Sequence, residues 1–415
     1  MKAIFKMNMV YCHMKQEEKV QLIDEIFARE TIVEVLPSKD FFRKRLLKET
    51  LRFYIGFDAT SPTLHLSHAK NIMLLEKFRR LGHEVILLFG DFTAMIGDPT
   101  GESSKRKQLT KEEVRENVEL WKKQIAPLMD FNAKVNPPQI RYNSDWLSHL
   151  RFDEIIGLAS NFTVQHMLER DMFEKRIDKG DPVFLHEFLY PLMQGYDSVV
   201  LDVDVELCGT DQIFNALSGR TLLKKYKNKE KFVVAVTLME DPQTGELMSK
   251  SKGTGVFLNA DSRNMFGQVM AQGDGMIEPL FRHCTSLSLE EIAQIIKTGD
   301  FRGAKLRLAQ EIVKIFYGSE SAEKEKGYFI ETFSKKNINA ESLETLRVVK
   351  GSSLLDVLVL NTLAQSKGDA RRKIEQGGVS LDGQRCLESE KRLESGDDGR
   401  VLRVGKKYFF RLNVK

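Results

Sequence analysis

Two histidines three residues apart, His65 and His68 in the run HLSH, follow an apolar stretch (LRFYIGF, 51–57) and a turn-rich segment (58–63) containing Pro62. At the start of a helix that spacing sends both imidazoles out from one face. Unpaired N–H groups and the positive end of the helix dipole attract phosphate there, and imidazole donors strengthen as charge moves onto departing pyrophosphate. Far downstream the run MSKSKG (248–253) holds Ser249, Lys250, Ser251 and Lys252. Lysine is a compact, mobile charge suited to a flexible lid over triphosphate. Each element alone has a plainer reading: the histidines as surface or capping residues, the lysines as a solvated turn. A metal pair is a third reading, but no further ligand stands at a familiar spacing.

A second polar set is Tyr190, Gln194 and Asp197 in YPLMQGYD, spaced i, i+4 and i+7 in an otherwise apolar segment. On a helix the three share one face, either lining a pocket or facing water, and Pro191 marks the helix start or a kink. The run CGTDQ (208–212) ends one strand pattern and opens a helix pattern.

The elements that must position these residues follow from periodicity. Residues 17–29 and 38–50 read as amphipathic helices leading into a first strand at 51–57. The pattern at 64–81 is helical, with Leu74, Leu75, Phe78 and Leu81 on one face and Glu76, Lys77 and Arg80 opposite, and Gly82 stops it. Val85–Phe89 is a continuous apolar run of strand length, completing a βαβ unit of parallel-sheet character. A second unit comprises a strand at 203–208, a helix at 210–224 and a strand at 232–238. The long segment between the units reads as mostly helical. Two half-sheets arranged this way bind ligands at the carboxyl ends of their strands. Residues 259–345 read as helices. A helix at 354–363, a basic helix at 369–376 and short strands with glycine turns follow.

Taken together these motifs resemble those of the class I aminoacyl-tRNA synthetases, specifically the bacterial tyrosyl-tRNA synthetase family. YIGFDATSPTLHLSH is similar to that family's first signature, GDFTAMIGDPTGESSKR to its following strand and loop, and LMSKSKG to its K-M-S-K-S loop. The likeness implies an α/β chain with three parts. These are a Rossmann-like parallel-sheet catalytic domain at 1–255 with a connective insertion at about 92–198, a helical domain at 256–345 for the anticodon side of tRNA, and a small α+β RNA-binding domain at 351–415 of a ribosomal-protein type. It implies ATP as substrate, Mg²⁺ carried by ATP, and transfer of tyrosine from tyrosyl-adenylate to tRNA(Tyr).

The resemblance also implies site residues. His65, His68, Thr60 and Lys250 act on the phosphates. Tyr54, Asp98, Asn143, Tyr190, Gln194, Asp197 and Gln212 form the tyrosine site, with Tyr54 and Asp197 on the phenolic hydroxyl. Asp58, Ser67, Gly209, Asp211, Ser249, Lys250, Ser251 and Lys252 serve ATP and the adenylate. Arg371, Arg372 and Lys373 meet RNA phosphates, and no resident metal is implied. The sequence departs from the family pattern at Ser67 and Cys208, where glycine is usual, and at Leu247, where lysine is usual. Ser67 adds a β-carbon where adenine would lie against the helix, so weaker ATP binding is expected.

Bulk properties bound the alternatives. The chain has 415 residues, 42% hydrophobic and 29% charged, the composition of a soluble globular protein of two or three domains. No apolar run approaches the roughly 18 residues that cross a bilayer, and the N-terminus lacks a secretory pattern. Cys12, Cys208, Cys284 and Cys386 are far apart, which fits a reducing cytoplasm and neither a zinc ribbon nor a disulfide scaffold. Net charge is +4; residues 351–415 hold 13 Lys/Arg against 9 Asp/Glu, so the tail carries the excess, as suits a polyanionic partner. Family likeness implies a homodimer. Three rivals remain: the tryptophanyl relative, disfavoured by Tyr54 with Asp197; an RNA-binding protein with a vestigial nucleotide site; and a metallohydrolase using H-x-x-H.

Overall fold

The computed structural model describes residues 14–97, 109–168, 171–248, 254–334, 343–361, 363–364, 366–405 and 408–415. The chain divides into two compact units, Met1–Ala322 and Glu323–Lys415.

In the first unit α1 (Gln16–Ala28) and β1 (Ile32–Leu36) are followed by α2 (Lys39–Lys48), β2 (Arg52–Phe57), α3 (Leu66–Arg80) and β3 (Glu84–Phe89). Next come α4 (Lys111–Ile125), β4 (Gln139–Tyr142), α5 (Phe152–Ala159), α6 (Leu189–Leu201), β5 (Val205–Gly209), α7 (Ile213–Lys227) and β6 (Phe232–Val236). Helices α8 (Ser262–Met270), α9 (Ile277–Cys284) and α10 (Leu289–Lys297) complete the run, and α11 (Phe301–Ser334, interrupted at Gly318) begins in this unit and ends in the second.

The sheet order is β1-β6-β5-β2-β3-β4, parallel except for β1, which runs antiparallel to β6. The strand at 52–57 is therefore the second of the chain. The edge strand Ile32–Leu36 precedes it, where the sequence suggested only helices. Strand β4 likewise lies inside the segment expected to be mostly helical. From β2 the chain builds toward β3 and β4 on one side, and β5 and β6 lie on the other. Order reverses between β2 and β5, so their carboxyl ends diverge and leave a crevice.

The core forms where α2 and α3 cover this sheet. Phe42, Phe53 and Phe78 are wholly buried, and the Phe53 and Phe78 rings stack at 4.5 Å. Each such ring contributes about 1.5–3 kcal/mol by leaving water. Leu74, Leu75 and Phe78 lie buried on α3 as its periodicity predicts. Glu76 corrects the expected polar face, because it is buried and bridges Arg79 at 2.7 Å and Arg80 at 2.9 Å. Helices α6 and α7 pack closely because Gly195 faces Gly219: a β-carbon on Gly195 would lie 3.2 Å from the Gly219 nitrogen. No helix of the described residues is long and apolar enough to cross a membrane.

The second unit holds β7 (Glu344–Val348), α12 (Leu354–Leu360), α13 (Lys367–Glu375), β8 (Val379–Leu381), β9 (Gln384–Arg385), β10 (Val401–Val404) and β11 (Tyr408–Val414). Its sheet, ordered β7-β11-β10-β8-β9, packs on α12 and α13 through Leu354, Leu358, Ile374, Leu402 and Leu412. Ser366 caps α13 by accepting from the Asp369 backbone N–H at 3.2 Å.

His83, beside the Gly82 stop, is 2% exposed among Phe53 and Phe78, and its Nδ1 accepts from the Leu51 N–H at 3.2 Å. Burial, with a smaller contribution from Lys19, lowers its pKa to about 4. A histidine held neutral in the folded state stabilises above its unfolded pKa near 6.5 and loses that contribution as pH falls toward 4. Stability in urea is therefore expected to drop by about 2 kcal/mol between pH 7 and pH 5 from this residue. The His83→Gln variant should show a flatter stability profile over that range.

Candidate functional site

The crevice between β2 and β5 gathers most of the candidate residues. Tyr54 on β2 stands directly opposite Glu206 on β5 in the parallel register. It is wholly buried, and its hydroxyl lies 3.0 Å from Ser198 Oγ on α6. Burial first, then the charges of Glu206 and Asp197, push its phenol well above the ordinary range. Asp197, 3% exposed, takes a hydrogen bond from Trp146 Nε1 at 2.7 Å and another from Asn143 Nδ2 at 3.3 Å. Burial raises its carboxyl well above the usual range, and these two donors oppose the rise. The Trp146 ring packs on the cluster formed by Tyr54, Ile86 and Leu88, so Tyr54 and Asp197 flank one aromatic.

Asn143 follows β4 and braces three segments at once. Its side chain accepts from the Phe92 N–H at 3.0 Å and donates to Thr93 Oγ1 at 3.1 Å as well as to Asp197. Asp58, just past β2, accepts from the Tyr190 hydroxyl at 2.8 Å and from Thr93 Oγ1 at 2.7 Å. Tyr190, Gln194 and Asp197 share one face of α6 as their spacing requires, and the helix starts at Leu189, which explains why Pro191 is tolerated. Gln194 Nε2 donates to Glu206 Oε1 at 2.9 Å.

The chain from 58 to 64 is pinned by α4. Asn117 Nδ2 donates to the Ala59 carbonyl at 2.8 Å, Trp121 Nε1 to the Ser61 carbonyl at 2.6 Å, and Gln124 Nε2 to the Pro62 carbonyl at 2.9 Å. Gln124 Oε1 also accepts from the Leu64 N–H at 2.8 Å. Thr60 sits half-buried within this pinned segment, its N–H donating to the Asp58 carbonyl at 2.7 Å. His65 is the N-cap of α3 and His68 lies in its first turn; their rings meet edge to face at 4.2 Å. Ser67, in the same turn, is half-buried.

The chain just past the second motif, at residues 256–258, returns to the same place. Leu66 N–H donates to the Val256 carbonyl at 3.0 Å, Leu258 N–H donates to the Leu64 carbonyl at 2.9 Å, and His65 bridges Phe257. On the upstream side Met248 N–H donates to the Met239 carbonyl at 2.7 Å. Both stems of the 249–253 segment are thus anchored, the downstream one against the histidine pair. Ser249, Lys250, Ser251 and Lys252 themselves, and Asp98, lie outside the described residues.

Gly209 ends β5, and a β-carbon there would come 2.4 Å from Asp211 Oδ1. Asp211 is exposed, and Gln212 Oε1 accepts from Asn215 Nδ2 at 2.7 Å. Cys208 is buried against Ala216 and Val233. Lys70 on α3 is buried and donates to Asn71 Oδ1 at 2.7 Å; burial brings its ammonium down to about 8, opposed by Cys284 and Asp211. Among the described residues no group of three His, Cys, Asp or Glu side chains is placed to hold a metal ion.

In the second unit Arg371 pairs with Glu390 at 3.2 Å, and Arg372 approaches Asp369 at 3.8 Å with its side chain 69% exposed. Lys373 is more committed, donating to the Leu363 carbonyl at 3.0 Å and to Asp369 at 2.8 Å.

Sequence reasoning passed over Ser198, Glu206, Lys231, Trp146 and the α4 stripe of Asn117, Trp121 and Gln124. That stripe was findable, since its i, i+4, i+7 spacing matches the pattern recognised on α6.

Comparison with known proteins gives the family. Residues 46–334 match the family described as tRNA synthetases class I (W and Y), and residues 337–412 match the tyrosine–tRNA ligase SYY-like C-terminal domain. The chain is 38% identical to a tyrosine–tRNA ligase of Thermotoga maritima, covering 96% of this chain and 98% of that one. It is 38% identical to a tyrosine–tRNA ligase 2 of Vibrio cholerae, covering 92% and 96%. Among solved structures, the fold matches a C-terminally truncated mitochondrial tyrosyl-tRNA synthetase of Aspergillus nidulans with a TM-score of 0.66 at 21% identity, over 80% of this chain and 99% of that one. It also matches a tyrosyl-tRNA synthetase of Archaeoglobus fulgidus complexed with L-tyrosine, with a TM-score of 0.57 at 18% identity, over 74% and 100%. With matches of this length and identity, the chain belongs to the class I tRNA synthetases, and within them to the tyrosine–tRNA ligases.

Proposed function

We propose that the crevice between β2 and β5 is where this ligase activates L-tyrosine with ATP, before transfer of the tyrosyl group to the 3′-terminal ribose of tRNA(Tyr). The observation that carries the reading is the placement of Tyr54 and Asp197 around Trp146, beside the histidine pair that the 256–258 segment closes. Tyr54 and Asp197 take the substrate hydroxyl. Tyr190 and Gln194, with Asp98, take the ammonium, and Asn143 holds Asp197 in place. Gln212 contacts the tyrosyl group, while Gly209 and Asp211 receive the ribose.

Tyrosine's carboxylate is already ionised at neutral pH, so it attacks the α-phosphate without a general base. The new bond is carboxyl oxygen to phosphorus, and the bond that breaks joins the α-phosphorus to the bridging oxygen, releasing pyrophosphate. Rate comes from alignment and from stabilising charge on that leaving group. Asp58 and Thr60 lie beside the reacting phosphate, His65 and His68 donate to the phosphates, and Lys250 swings over them with Ser249, Ser251 and Lys252. Mg²⁺ enters with ATP and neutralises phosphate oxygens. In transfer, the ribose hydroxyl oxygen attacks the activated carbonyl and AMP leaves.

Residues 256–345 contact the anticodon side of tRNA and residues 351–415 its backbone, with Arg372 the most available of the three basic residues on α13. The ligase works as a cytoplasmic homodimer. Exposed Phe152 (77%), Ile156 (54%) and Leu185 (81%) are the kind of apolar surface that a second copy would cover.

Tyrosine-dependent ATP–pyrophosphate exchange tests the core of this reading, run with tyrosine, phenylalanine and tryptophan. Activity with tyrosine alone is expected; silence with all three would sink it. Tyr54→Phe and Asp197→Asn should each raise the tyrosine KM about tenfold or more, because each strands a buried polar partner. Ser67→Gly should lower the ATP KM by about threefold, equivalent to under 1 kcal/mol of relieved crowding; an unchanged KM would show that the serine is harmless. Arg372→Ala should flatten the salt dependence of tRNA binding by about one unit of log–log slope, measured by filter binding across a salt series.

A further inference from the structure

Helix α4 carries polar side chains on its buried face. Asn117 and Gln124 are each 8% exposed and Trp121 is 4% exposed, in a stripe at i, i+4 and i+7 beside the apolar anchors Val114, Val118 and Ile125. Polar groups on such a face cost stability unless buried partners meet them. All three reach one segment, residues 58–64, which joins β2 to α3. Asn117 Nδ2 donates to the Ala59 carbonyl at 2.8 Å, Trp121 Nε1 to the Ser61 carbonyl at 2.6 Å and Gln124 Nε2 to the Pro62 carbonyl at 2.9 Å. Gln124 Oε1 accepts from the Leu64 N–H at 2.8 Å.

That segment has little shape of its own. Among the described residues its backbone makes one hydrogen bond within itself, from Thr60 N–H to the Asp58 carbonyl. A stretch with so few internal bonds takes its conformation from whatever grips it. Gln124 engages both the carbonyl of Pro62 and the N–H of Leu64, so its amide substitutes for a neighbouring strand. On the other side Leu258 N–H holds the Leu64 carbonyl at 2.9 Å, and the chain just before His65 is gripped from two directions. The Trp121 ring also lies 6.2 Å from the His68 ring. None of the four bonds from α4 reaches Tyr54, Asn143 or Asp197.

We infer that Asn117, Trp121 and Gln124 are positioning residues for the departure of pyrophosphate, fixing the chain from Thr60 to His65 so that hydroxyl and imidazoles converge on the phosphates. The inference rests on the reading of Thr60, His65 and His68 as the groups that meet those phosphates. Charge that develops during reaction is stabilised only by donors already in place, so a loosened segment slows turnover. Tyrosine binding, served by other elements, is left intact.

The test is ATP–pyrophosphate exchange on two variants, with melting temperatures measured and rates taken well below the lowest of them. Trp121→Phe keeps a ring beside His68 and removes the N–H donor; Gln124→Met keeps the length and removes both amide bonds. Gln124→Met is expected to lower kcat about tenfold and Trp121→Phe about fivefold, with tyrosine KM within about twofold of the parent. A merely structural loss would act regardless of the histidines. In a His68→Ala background Gln124→Met should therefore cost only about threefold or less, because groups that act through one another are not additive. Trp121→Phe carries the same comparison if Gln124→Met does not fold. Parental kcat in both single variants overturns the proposal. So does a tyrosine KM that rises in step with the fall in kcat, or an undiminished loss in the His68→Ala background. His68→Ala alone separates the levels: parental kcat there defeats the reading of the histidine pair, whereas low kcat there with parental kcat in both α4 variants defeats only this inference.

Discussion

Pairing of β2 with β5 is the constraint on which the rest depends. It sets Tyr54 opposite Glu206 at the point where strand order reverses, so both side chains leave the same face of the sheet and meet α6. A parallel sheet covered by helices presents its functional groups only at the strand ends. Asp58 follows β2, Asn143 follows β4 and Asp211 follows β5. The return of residues 256–258 to Leu64–Leu66 then ties a segment almost two hundred residues downstream to the same edge. Two segments remote in the chain become neighbours through two backbone hydrogen bonds.

Three acidic residues of the crevice, Asp197, Glu206 and Asp58, are held differently. Asp197 is held by two neutral N–H groups, which oppose the upward push of burial on its carboxyl. Glu206 is held by an ammonium, and its charge still acts on Tyr54 and Asp197. Asp58 binds two hydroxyls, from Tyr190 and Thr93, which can rotate away when a ligand competes for the carboxylate. A charge that holds other side chains works best when neutralised.

Much of this architecture was readable from periodicity, because α3, β3, α7 and β6 have strong single-period patterns. Strand β1 was missed since IVEVL is brief and lies between two helices, and β4 since QIRY follows two prolines. Tyr190, Gln194 and Asp197 were legible because polar residues interrupted an apolar helix at regular spacing. Lys231 was hidden for the opposite reason: in KNKEKF it looks like a member of a solvated charge run, yet it alone turns inward to a carboxylate on the neighbouring strand. No local pattern carries that information, since it depends on the register of β5 against β6. Glu76 misled similarly, its burial being set by two arginines on the same helix.

Departures from the family's usual residues are best judged by what surrounds each one. Cys208 replaces glycine with its side chain buried in a small apolar cluster with Ala216 and Val233, so the sulfur fills space behind the crevice and leaves Gly209 to provide the close approach. Leu247 is 45% exposed and bridges Glu240 through the backbone, which any residue can do. Losing a lysine there removes one charge from the stem without loosening the anchor that aims the loop. Ser67 differs from both, because it stands half-buried on the first turn of α3, where a ligand would meet backbone. Of the three substitutions, it alone changes the surface on which the nucleotide would rest.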